Sequence, residues 1–193
     1  MIWLAMLLIV LVAGFRVFTG THEGYLNVAP LMAMAFCGGI YLRGRVRWVL
    51  PLGALLVSDM ILNRYHGVGL LEPFMIGTYA CYGLAVALGA WVATRKSMGL
   101  IFGGVLANAV VFYAVTNTLA WLFNPLYAKT IAGWWQAVTV GLAGFPPTYL
   151  FFRNSLVSDL IFTACFVLCM EWGARTAGQA SRIRGQEPGP ARV

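Results

Sequence analysis

At 193 residues, with 61% hydrophobic and only 10% charged side chains, the chain is too apolar for a soluble domain. Its formal charge of +7 does not indicate a nucleic-acid partner, because the basic residues stand between hydrophobic segments and do not form a stripe on one face. What remains is an all-α membrane protein.

A transmembrane helix needs about 20 mostly apolar residues, and six candidates follow in chain order. The first, residues 2–18, has no Lys or Arg before it and no small-x-small site before Arg16, so it reads as a retained helix and not a cleaved signal peptide. The second and third, 28–42 and 48–62, are short. The fourth and fifth cover 74–93 and 98–123. The segment TIAGWWQAVTVGLAGFPP, 130–147, is apolar enough for a seventh span, yet a full crossing would send the basic C-terminal tail to the opposite side. It is therefore expected to be an extra interfacial helix between helices 5 and 6, with Trp134 and Trp135 at headgroup level. The sixth span covers 156–172. Residues 1–173 thus form one transmembrane domain, followed by a disordered basic tail, 174–193, that contacts anionic lipid.

Arg43, Arg45 and Arg47 lie between helices 2 and 3, Arg95 and Lys96 between helices 4 and 5, and Arg175, Arg182, Arg184 and Arg192 after helix 6. With six spans, all three clusters share one side, and the positive-inside rule puts them and both termini in the cytoplasm. No GxxxxGK[ST] loop is present, so the chain shows no nucleotide-driven motor of its own.

The polar residues inside these spans can then be ranked by depth. LVSDMI, 56–61, and LVSDLI, 156–161, place Asp59 and Asp159 at one level, a turn below the outer surface. Cys81 in GTYACYGL lies on the order of 10–14 Å below the outer mouth of helix 4. Asn27, Asn117 and Arg153 fall in the same outer half. A charge near the bilayer centre costs roughly 2.5–3.5 kcal/mol on insertion scales. Two readings follow: the aspartates cap helices or pair with Arg16, Arg64 or Arg153, or they join Asn27, Asn117 and Arg153 as a polar rim around an outward-facing pocket, and their common level favours the rim.

Cys37, Cys165 and Cys169 fall in the inner half and read as small hydrophobes, with no zinc-ligand spacing. Cys81 is within reach of the outer pocket, where its thiolate would be a soft ligand for a polarizable metal such as corrinoid cobalt; by position alone the core-filler reading stands ahead. His22 and His66 are expected in solvated loops. Trp121, Trp134, Trp135, Tyr127 and Tyr149 form either an aromatic belt or a lid that stacks on a flat ligand.

The series NVAPLMAMAFCGGIYL, LPLGALLVSDMILN, VVFYAVTNTLAWL, YAKTIAGWW and FFRNSLVSDLIF resembles the ordered motifs of small bacterial membrane proteins classed as substrate-binding (S) components of energy-coupling-factor transporters, over residues 27–171. A cysteine beside TYACY in helix 4 is similar to the BtuM branch of that group, associated with cobalamin. The resemblance implies an S-component-like fold in the bacterial inner membrane and uptake of cobalamin or a related corrinoid. It also implies Cys81 as cobalt ligand, able to displace the axial cyanide, and Asn27, Asp59, Asn117, Arg153 and Asp159 lining or supporting the site. An energy-coupling-factor module is the implied partner. The alternatives are transport of another vitamin or small metabolite with Cys81 in the core, a membrane thiol enzyme pairing Cys81 with a second cysteine, and a structural protein without ligand.

Overall fold

The computed structural model describes residues 2–22, 28, 30–69, 75–95, 97–181 and 183. They form seven helices in the order α1 (Ile2–Thr21), α2 (Leu31–Tyr41), α3 (Val46–Tyr65), α4 (Met75–Arg95), α5 (Met98–Phe123), α6 (Ile131–Val138) and α7 (Thr148–Thr176), with no strand among the described residues. α1, α3, α4, α5 and α7 are long and apolar enough to cross a membrane. The chain is an all-α, multi-pass membrane protein.

α2 sits at the centre and differs from the others. Its 11 residues are all buried, and it packs against α1, α3, α4, α5 and α7. At about 1.5 Å per residue it is roughly 16 Å long, about half a hydrocarbon core. The expected span 28–42 is therefore shortened at its start, where Pro30 occupies the N-cap position, and Leu42 ends it in an extended conformation. Because no residue of α2 meets lipid, it needs no polar face, and MAMAFCGGI can be apolar all round.

The seam between α2 and α4 is glycine-built. A Cβ on Gly39 would stand 2.3 Å from the Val86 carbonyl oxygen, and one on Gly89 would stand 2.1 Å from the Phe36 carbonyl oxygen. Two backbones thus touch, a packing that only small residues allow in membrane helices.

Two ends follow from the helix contacts. The Tyr65 hydroxyl donates to Thr21 O at 3.2 Å and the His66 ring meets Gly20 O at 3.0 Å, which brings the C-termini of α1 and α3 together. At the opposite end the Tyr41 hydroxyl donates to Glu171 at 3.2 Å, and Ile2, Tyr41, Arg43 and Ala174 share one small hollow. Arg43, Arg45, Arg47, Arg95 and Arg175 all belong to this second, arginine-rich end; α6 and the start of α7 belong to the first, aromatic-rich end.

α7 begins at Thr148, well before the expected residue 156, because Pro146 and Pro147 stop the preceding loop and leave no break at Arg153 or Asn154. It also runs on to Thr176, and Ile183 of the tail is buried beside Met98 and Val167. The segment 130–147 contains only the eight-residue α6; Gly141 and Gly144, at φ of 73° and 88°, turn the chain after it.

Candidate functional site

A cavity of about 590 Å³ opens at the aromatic-rich end between α5, the α6–α7 connection and the first turns of α7, with Thr78 contributed by α4. Its walls are built locally. The Tyr113 hydroxyl on α5 donates to Val138 O at 2.5 Å and ties down the end of α6, while Trp134 Nε1 donates to Thr118 Oγ1 at 3.0 Å. Gln136 Nε2 donates to Gly141 O at 2.9 Å and shapes the turn that carries Leu142 and Phe145 over the cavity. Thr130 caps α6 by accepting the Gly133 N–H.

Lys129, in the YAKT stretch, donates to the Trp121 and Asn124 carbonyls at the C-terminus of α5, where unpaired carbonyls and the negative end of the dipole favour a cation. Trp121 Nε1 donates to Ala128 O at 2.8 Å, closing the same loop. Trp121, Trp134 and Lys129 are therefore struts of the cavity mouth. Lys129→Met is expected to cost about 1 kcal/mol, read as a lower thermal midpoint of the purified protein; an unchanged midpoint would remove the capping role.

The lining combines Phe112, Phe145, Phe151 and Phe152 with Asn117, Thr116, Asn124 and Tyr127. Asn117 Nδ2 donates to Tyr113 O at 2.8 Å, which fixes its amide on the cavity wall. Burial pushes the Tyr127 hydroxyl above its ordinary value near 10, so it stays a neutral donor. The arrangement suits a ligand with flat apolar surface and amide or hydroxyl edges.

Of the sequence-derived set, Asn117 lines this cavity and the others are distributed around it. Asp59 lies in the seam of α1, α3 and α4. It accepts Arg16 Nη2 at 2.5 Å and the Tyr79 hydroxyl at 2.8 Å, while Arg16 Nη1 donates to Ser58 Oγ at 2.7 Å. Asp159 is fully buried, and its Oδ1 accepts the Ala33 N–H at 2.9 Å, so it caps the start of α2 from a neighbouring helix. Both aspartates thus serve the first of the two readings, one as an ion pair and the other as a cap. Arg153 is exposed and hydrogen-bonds Asn154 Oδ1 at 3.1 Å and 3.2 Å. Asn27 lies outside the described residues.

Cys81 is buried on α4, a single turn from Thr78 of the cavity wall. It does not itself line the cavity. Its neighbour Tyr82 packs its ring against Phe112, a lining residue, at 5.5 Å between centroids. Cys37 is also buried, Cys169 is half-buried and Cys165 is exposed; all four cysteines are free thiols. Among the described residues no group of three or more His, Cys, Asp and Glu converges. The His22 and His66 rings meet the Phe18 and Gly20 carbonyls, both at the C-terminus of α1.

Sequence reasoning missed Tyr79, Ser58 and Tyr113. Tyr79 belongs to the same GTYACYGL stretch as Cys81, and its hydroxyl reaches Asp59 on α3. A model described as a family of unknown function (DUF6580) matches residues 1–180. No curated protein and no solved structure matches the chain.

Proposed function

The chain belongs to this DUF6580 family, and from that premise we propose that it is a membrane uptake protein that captures a small molecule in the cavity at its aromatic-rich end. The observation that carries the reading is the position of that cavity. It opens opposite the arginine-rich end, which the positive-inside rule assigns to the cytoplasm. In this reading α2 is a short sixth span, α6 lies at the outer interface, both termini are cytoplasmic and the membrane is the bacterial inner membrane.

The proposed ligand is cobalamin or a related corrinoid. Phe112, Phe145 and Phe152 would pack the ring, and Asn117, Asn124 and Thr116 would bond its amide groups. Cys81, a turn below Thr78, would reach cobalt. The thiolate would then replace the axial group, with cyanide leaving together with the thiol proton when cyanocobalamin is the ligand. A second reading keeps the same cavity for another vitamin or small metabolite and leaves Cys81 in the core; the burial of the thiol, away from the cavity lining, favours it. Energy would come from a partner such as an energy-coupling-factor module or from an ion gradient.

The test is equilibrium binding to the detergent-purified protein, with cobalamin, thiamin, riboflavin and biotin as probes and tryptophan fluorescence as readout. One probe is expected to saturate, with Asn117→Leu weakening it about tenfold, near 1.4 kcal/mol. An affinity that Asn117→Leu and Phe145→Ala both leave untouched would remove the cavity from the account.

A further inference from the structure

Asp159 is fully buried, and the Ala33 and Met32 N–H groups of α2 both act on its carboxylate without reaching all of it. Oδ1 takes the Ala33 N–H at the start of α2, and Oδ2 has no hydrogen-bond partner. A helix N-terminus offers about half a positive charge, so α2 offsets roughly half of the carboxylate. The remaining charge has no counter-charge at hand. α7 packs on α1, α2, α5 and α6. The cation of α1, Arg16, is engaged by Asp59 and Ser58. α2 contributes only Cys37 and Tyr41 as titratable groups, α5 only Tyr113 and α6 none, and Tyr82 of α4 lies nearby.

Other orphaned polar atoms stand at the same level. Ser158 Oγ on α7 and Asn108 Nδ2 on α5 are buried without a partner. Gly104 packs under the Phe36 ring, where an added Cβ would lie 2.6 Å from Cζ. Asn108, a turn farther along α5, therefore stands level with the turn of α2 that holds Ala33. The cavity reaches almost to this place: Ser155, a turn before Asp159, and Ala109, next to Asn108, both line it.

We propose that Asp159 Oδ2, beneath the floor of the cavity, holds a monovalent cation, a sodium ion or a proton, and that its occupancy is linked to that of the ligand above it. An anion would be repelled by the carboxylate. A divalent ion would need more carboxylates than the described residues bring together. Intramembrane carboxylates of this kind are costly and are kept where they serve an ion or proton path. The linkage rests on the uptake reading; the cation site does not.

The test uses the purified protein without any organic ligand, so its failure and the failure of the uptake reading are distinct results. Thermal midpoints are compared in sodium and choline chloride at equal ionic strength, each at pH 6 and pH 8.5, for wild type and Asp159→Asn, which keeps the bond to Ala33. Sodium is expected to raise the wild-type midpoint by about 3–5 °C, saturably, and not to move the variant. A proton in place of sodium would give a wild-type midpoint that falls as pH rises, since the folded state then binds more protons than the unfolded one, and a variant indifferent to pH. A wild type indifferent to both ions, or a variant that follows wild type, overturns the proposal. Asp159→Ser serves if the Asn variant does not fold.

Discussion

Gly89→Val should leave little folded protein. The added Cβ would lie 2.1 Å from a backbone oxygen of α2, and neither helix can yield: α2 is buried on every side, and Gly39 holds its own backbone against Val86 and Ala90 in the same crossing. Overpacking a well-filled core costs typically about 1–3 kcal/mol and more where backbone must move, so the cost here is expected at or above the top of that range. Gly83→Ala on the same helix is the control, because a Cβ there meets nothing within 4 Å. Monodisperse yield and thermal midpoint of the two variants would check this. If Gly89→Val purified as stably as Gly83→Ala, the close α2–α4 approach would be wrong.

The second large effect is expected at the ion pair of Arg16 and Asp59. Their side chains retain 16% and 11% exposure, so removing Asp59 leaves the guanidinium with Ser58 Oγ but no counter-charge, and the Tyr79 hydroxyl without its acceptor, in a largely buried seam. Breaking such a pair on one side costs about 3–5 kcal/mol, whereas replacing both partners by apolar side chains is often near neutral. Asp59→Ala is thus expected to be severe, and Arg16→Met with Asp59→Leu to recover most of the loss. Denaturation midpoints of the two singles and the double form the cycle. Additive losses would show that the two residues do not act as a pair.

The long helices were legible because the bilayer demands length and apolarity together; α5 matches its expected range at both ends. The limits of α7 were not, since hydropathy falls at Arg153 and Asn154 although the backbone continues through them. α2 shows a different failure. A fully buried short helix and a short span have the same composition, and only the packing of five neighbours distinguishes them. The repeated LVSD motif pointed rightly to buried polar groups, and Arg16 was one of three arginines open as a partner. That one copy forms an ion pair and the other caps α2 depends on which helices surround each, which residue spacing does not encode.

The most direct test of the account is the visible absorption spectrum of the detergent-purified protein, expressed with and without added cobalamin, beside Cys81→Ala. The account predicts a retained corrinoid band whose shape changes when the thiol is removed. A colourless protein in both cases would contradict the corrinoid and return Cys81 to the core of α4.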